Sequence, residues 1–239
     1  MHYRETGNVT GRPVLLIHGW MAGSTVWDAL LPSLDGHRLV LPELWQQRNG
    51  PISLGDLATD LLELVERLDL RDCHLVGHSM GGQLALLLAA TAPQRFASLV
   101  MLNPVPLEGL PLPAEVAEQF RKAGGRRDAF AGILDACCLA LAPEDRDRLL
   151  DEAIRIDPEV IAASFDAWQQ GTHCDSLQQA GLPVTVVATD DPFLPPALLE
   201  AAVVQRLPKA RLATIPGCGH YPQIEAPQAV AKLLAESWQ

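Results

Sequence analysis

The segment Gly77-His78-Ser79-Met80-Gly81-Gly82 constrains the fold of this chain more than any other stretch. It follows the short apolar run His74-Leu75-Val76 and leads directly into an apolar helical pattern over residues 80–92. Bulky side chains are excluded where a strand turns sharply into a helix, so glycines flank the serine there. The turn pushes the serine hydroxyl out at the carboxyl edge of a sheet.

The rest of the chain repeats the strand-then-helix alternation. Apolar runs at 14–17, 39–41, 99–102, 184–187 and 211–215 read as strands, the first of them buried on both faces. Helical patterns occupy 25–34, 54–68, 80–92, 197–204 and 223–237. In the second of these, Leu57, Leu61, Leu64, Val65 and Leu68 form one apolar stripe for packing on a sheet. The fold class is therefore α/β: a mainly parallel sheet with helices on both faces, placed there by right-handed crossovers. Residues 107–176 break the alternation, being helical with no convincing strand. They are expected to form an inserted helical cap on a core made of residues 1–106 and 177–239, and an insertion of that length is usually functional.

With 239 residues, 48% of them hydrophobic, the chain can bury one sizeable core. Its net charge is −11 and its 18 basic residues are scattered, so neither nucleic acid nor an anionic membrane is an expected partner. The basic cluster Arg121, Lys122, Arg126 and Arg127 reads as solvated surface. The opening Met1-His2-Tyr3-Arg4-Glu5 has no signal-like apolar stretch, and no segment reaches the ~18 apolar residues of a membrane span, so a cytoplasmic enzyme is the expectation. The five cysteines, at 73, 137, 138, 174 and 218, are odd in number and contain no C-x-x-C pair. They read as free thiols, and neither a metal nor any other cofactor is expected.

A serine hydroxyl at neutral pH needs a base, and the base needs an orienting acid. His220, in Gly217-Cys218-Gly219-His220-Tyr221-Pro222, follows the last strand. Thr189-Asp190-Asp191-Pro192 follows the strand at 184–187, so both segments reach the sheet edge that carries Ser79. Asp190 and Asp191 are adjacent and point in different directions, and the residues alone leave the choice between them open.

The motifs His18-Gly19-Trp20, Gly77 to Gly82, Asp191-Pro192-Phe193-Leu194-Pro195 and Gly219-His220-Tyr221-Pro222, with the order Ser, Asp, His, make the chain similar to the α/β-hydrolase superfamily. Within it, the chain resembles compact carboxylesterases such as the pimeloyl-carrier-protein methyl ester esterases. The resemblance implies a triad of Ser79, His220 and Asp191, leaving Asp190 as a turn residue. It also implies an oxyanion hole formed by the backbone N–H groups of Trp20 and Met80. Trp20, His18, Phe130 and Phe165 are the expected substrate contacts, although positioning or packing is the ordinary role for His18 and His78. Phe120, Ile133, Leu134 and Leu139 are further candidates for an apolar lining. Two departures stand out. Residues 42–50 lack the glycine-rich turn that many relatives carry after the second core strand, and the usual leading antiparallel hairpin is reduced to one strand or lost.

The expected activity is hydrolysis of a small carboxylic ester through an acyl-enzyme. The same triad also serves carrier-protein methyl ester esterases, thioesterases and carbon–carbon bond hydrolases, with a non-catalytic binding module as a distant alternative. An aspartate-nucleophile dehalogenase or epoxide hydrolase is disfavoured by Ser79. An acyl carrier protein is disfavoured as partner because residues 107–176 hold seven Lys and Arg against fourteen Asp and Glu, and like charges suppress encounter.

Overall fold

The computed structural model describes residues 1–45, 52–176 and 181–238. Among these residues seven strands form one sheet: β1 (His2–Gly7), β2 (Pro13–Ile17), β3 (Arg38–Glu43), β4 (Cys73–His78), β5 (Phe96–Leu102), β6 (Val184–Ala188) and β7 (Ala210–Thr214), in the order β1-β3-β2-β4-β5-β6-β7. All neighbours are parallel except β1, which runs antiparallel to β3 from His2↔Glu43 to Gly7↔Arg38. Among the described residues this one antiparallel strand precedes β2. Every residue of β4 is buried, as a central strand covered on both faces requires, whereas β1 and β7 at the edges alternate with exposed positions.

Helix α1 (Leu54–Arg67) starts at Ser53, whose hydroxyl accepts the N–H of Asp56 at 3.1 Å, and it buries Leu57, Leu61, Leu64 and Val65 on the sheet. Helix α2 (Met80–Thr91) is buried all round except at its final residue, matching an apolar pattern without a polar face. Two expected helices are interrupted by proline. Residues 25–34 form two short 3₁₀ turns, Ser24–Trp27 and Leu31–Leu34, because Pro32 has no N–H to continue a helical ladder. The final helix splits into α8 (Pro222–Glu225) and α9 (Pro227–Ser237), since Ala226, preceding Pro227, is pushed out of the helical region to φ −143°. Helix α7 (Pro196–Ala202) lies between β6 and β7.

Between the neighbouring strands β5 and β6 the chain runs through α3 (Ala114–Arg121), α4 (Arg127–Cys137), α5 (Pro143–Ala153) and α6 (Pro158–Gln170), with no strand among the described residues. Phe130, Leu134, Leu149, Leu150, Ile161 and Phe165 are buried among these helices. The segment is tied to the β2 side of the sheet by Trp20, whose indole N–H donates to the Ile161 carbonyl at 3.0 Å, and by Thr25, whose hydroxyl donates to Glu152 at 2.6 Å. No helix among the described residues is long and apolar enough to cross a membrane. In the departing loop after β3, residues 46–51 lie outside the described residues.

Candidate active site

Ser79 occupies the turn between β4 and α2 with φ 55° and ψ −122°, a left-handed conformation that costs a non-glycine residue about 1–3 kcal/mol. Three backbone hydrogen bonds hold it there: Ser79 N–H to Leu102 O at 3.0 Å, and Gly82 N–H and Val105 N–H to Ser79 O at 2.8 and 3.2 Å. The flanking glycine is required by contact as well as by the bend. A Cβ on Gly81 would stand 2.3 Å from Ile17 O and 2.5 Å from His18 O. The side-chain hydroxyl makes no hydrogen bond among the described residues and opens into a cavity of about 60 Å³ that it shares with His220.

His220 follows β7 and Asp191 follows β6, two parallel neighbours whose carboxyl ends lie side by side. His220 Nδ1 is 2.6 Å from Asp191 Oδ2, and the Asp191 side chain is fully buried. An ionised carboxylate only accepts, so Nδ1 carries the proton and Nε2 is left as the acceptor. Asp191 Oδ1 takes the N–H of Phe193 at 2.9 Å, so both carboxylate oxygens are used. Asp190, by contrast, is exposed and turned toward the start of the loop after β7, its carboxylate accepting Gly217 N–H at 2.7 Å. Of the two aspartates, Asp191 is the one that meets His220.

The loop around His220 is fixed by Asn103, which the sequence did not single out, and by His78, for which it suggested positioning or packing. Asn103, buried at the end of β5, donates from Nδ2 to Thr189 Oγ1, Gly219 O and His220 O at 2.8, 3.1 and 3.2 Å. His78 donates from Nε2 to His220 O at 2.8 Å, and burial holds its imidazole neutral, well below the usual histidine range. Beside Ser79, a Cβ on Gly19 would come within 3.0 Å of Ser79 Cβ, which sets the His18-Gly19-Trp20 loop against the hydroxyl. The N–H groups of Trp20 and of Met80, the first residue of α2, have no hydrogen-bond acceptor among the described residues. Two unspent donors, one at a helix N-terminus, suit a developing negative charge.

The sequence matches the alpha/beta hydrolase family over residues 14–233. The chain belongs to that family. It is 27% identical over 250 residues, covering 95% of each chain, to the pimeloyl-[acyl-carrier protein] methyl ester esterase of Nitrosomonas europaea. It is 25% identical over 261 residues, 99% of this chain and 90% of the other, to the 2-hydroxy-6-oxononadienedioate/2-hydroxy-6-oxononatrienedioate hydrolase of Burkholderia vietnamiensis. A thermophilic esterase from Thermogutta terrifontis superposes with a TM-score of 0.82 at 28% identity, covering 98% of this chain and 91% of that one.

Beyond Ser79 and His220, the cavity of this α/β hydrolase is walled by Trp20, Val105, Phe193, Leu194 and Tyr221, and by Leu110, Leu112, Phe120, Phe130, Ile133, Leu134, Cys137 and Trp168 from the helical segment. Of the four residues named from the sequence as substrate contacts, Trp20 and Phe130 line this cavity and His18 and Phe165 do not. His18 is buried outside the lining with both ring nitrogens committed: Nδ1 donates to Gly19 O at 2.9 Å and Nε2 accepts Leu44 N–H at 3.2 Å. Burial lowers its pKa as well, so it is a neutral brace for the loop. Phe165 lies behind the wall, packed on Trp20, Phe120 and Trp168 with ring centroids 5.9, 6.0 and 5.0 Å away. Leu139 also misses the cavity and is 60% exposed. Cys137 faces the cavity, but its hydrogen bond with Cys138 and its burial keep the thiol protonated.

Proposed function

We propose that this α/β hydrolase is a serine esterase that cleaves a small, uncharged carboxylic ester. The observation that carries the reading is the cavity itself. It holds Ser79 and His220, and among the described residues its walls contain no Asp, Glu, Lys or Arg. In the proposed mechanism His220 Nε2 takes the proton from Ser79 Oγ as the oxygen attacks the ester carbonyl, while Asp191 steadies the resulting imidazolium. The N–H groups of Trp20 and Met80 receive the oxyanion. His220 then gives its proton to the departing alcohol, leaving an acyl-Ser79. Water, deprotonated by the same imidazole, attacks the acyl carbonyl and releases the carboxylic acid and free Ser79.

Residues 107–176 act as the cap that closes this cavity over the core of residues 1–106 and 177–239. A volume of about 60 Å³ is well below the ~150 Å³ that accommodates a benzene ring, so the acyl part is short. That no cation stands in the walls among the described residues weighs against the carbon–carbon bond hydrolase reading. The substrates in that relative's name are dioates, and a carboxylate buried without a partner costs several kcal/mol. Docking of an acidic carrier protein is weakened for a different reason. Each cation of the basic cluster already has a carboxylate: Arg121 pairs with Asp166, Lys122 with Glu118, Arg126 with Asp128, and Arg127 with Asp147 and Asp151.

The test is kcat/KM across acetyl, butyryl and palmitoyl p-nitrophenyl esters, a butyryl-coenzyme A thioester and a dicarboxylic monoester. Acetyl and butyryl esters are expected to exceed palmitoyl by at least about tenfold, since overfilling a packed pocket costs 1–3 kcal/mol, and to exceed both anionic substrates. A faster palmitoyl ester or coenzyme A thioester would replace this reading with a lipase or a thioesterase.

A further inference from the structure

Three consecutive N–H groups of the His220 loop are all directed away from the loop's own backbone. Gly219 N–H and Tyr221 N–H donate to the Glu225 carboxylate at 2.9 and 3.0 Å, and His220 N–H donates to Cys137 O, at the end of α4, at 2.8 Å. The same carboxylate also accepts Leu139 N–H at 2.8 Å and Ala140 N–H at 2.7 Å, from the connection between α4 and α5. A Cβ on Gly219 would stand 2.2 Å from Cys137 O, so loop and helix end are in direct contact. Glu225 forms no ion pair with a cation among the described residues. Its charge is matched by four N–H dipoles, which suits a carboxylate because it accepts at two oxygens and presents no donor.

We propose that Glu225 is a positioning residue that locks the His220 loop to the end of α4 and so holds the imidazole in register with Ser79, a role that rests on the serine-hydrolase reading above. A base must stand within about 3 Å of the proton it takes, and a misplacement of 1 Å costs on the order of 100-fold in rate. Asp191 fixes the tautomer and direction of the ring, while Glu225 fixes the backbone that carries it. The lock also makes the α4 wall of the cavity, with Ile133, Leu134 and Cys137, part of the base's support. In Glu225→Gln an oxygen at the Oε2 position keeps the three N–H groups of Leu139, Ala140 and Gly219, and only Tyr221 N–H faces the amide. Glu225→Ala loses all four.

The experiment measures kcat and KM for p-nitrophenyl butyrate, per site titrated with a fluorophosphonate, in the wild type, Glu225→Ala and Glu225→Gln. Amide hydrogen exchange over 137–141 and 217–222 is recorded in parallel. Glu225→Ala is expected to lower kcat about 10- to 100-fold with KM within about twofold, and to speed exchange in both segments, while Glu225→Gln recovers part of each. A turnover per titrated site within about twofold of wild type in Glu225→Ala would overturn the proposal, because a role confined to stability lowers the number of active sites and not their rate. The exchange arm needs no substrate, so it separates the two readings. Unchanged protection in Glu225→Ala removes the lock whatever the enzyme hydrolyses, whereas a wild type that is neither labelled nor active removes the esterase reading alone.

Discussion

Asp191→Asn is expected to lower kcat/KM for a small ester by about 10³- to 10⁴-fold, while Asp190→Asn stays within about threefold. The difference follows from where the two oxygens of Asp191 go. Oδ1 holds Phe193 N–H at 2.9 Å and Oδ2 holds His220 Nδ1 at 2.6 Å. An asparagine has one oxygen to offer. Kept on Phe193 N–H, it turns its amide NH₂ toward Nδ1, which then has to accept. The ring proton moves to Nε2, and the imidazole can no longer take a proton from Ser79. Asp190 holds only the exposed Gly217 turn, at 2.7 Å, and its amide can hold the same N–H. Steady-state kinetics of the two variants decides the matter, and the reverse order of losses would move the orienting role to Asp190.

The larger loss is expected from Ser79→Ala, about 10⁴-fold or more in kcat, because nucleophile and base act as one unit. Stability should hardly change. The hydroxyl makes no hydrogen bond among the described residues, and the backbone bonds that maintain φ 55° remain available to alanine. A shift below about 1 kcal/mol corresponds to a Tm within about 4 °C of wild type for a domain of this size. Thermal unfolding beside ester turnover separates lost chemistry from lost fold, and near-wild-type turnover would end the mechanism.

The parts of the site that were legible in the sequence are those whose geometry is set by local backbone chemistry. Gly77 to Gly82 declares its turn through residues that must lack a Cβ, and the distances at Gly81 show why. His220 and the aspartate pair were placed by following strands to their carboxyl ends, which only the order of elements requires. The choice between Asp190 and Asp191 depended on which way each side chain leaves a two-residue turn, and residue type carries no signal for that. His18 lay in a motif beside Trp20, but what fills its nitrogens is the backbone of Gly19 and Leu44, the second of them 26 residues away. Glu225 was invisible for the same reason, since its acceptor role depends on Leu139 and Ala140, 86 and 85 residues earlier. The proline breaks at Pro32 and Pro227 were written in the sequence and outweighed by an apolar periodicity that runs across them.

The central claim is that Ser79 is a nucleophile activated by His220, and covalent labelling addresses it without any choice of ester. Intact protein treated with a fluorophosphonate, digested and mapped by mass spectrometry, is expected to carry one phosphonyl group per chain on Ser79. His220→Ala should label at least about 100-fold more slowly, the usual scale of general-base assistance. Labelling on another residue, or an undiminished rate in His220→Ala, would contradict the account.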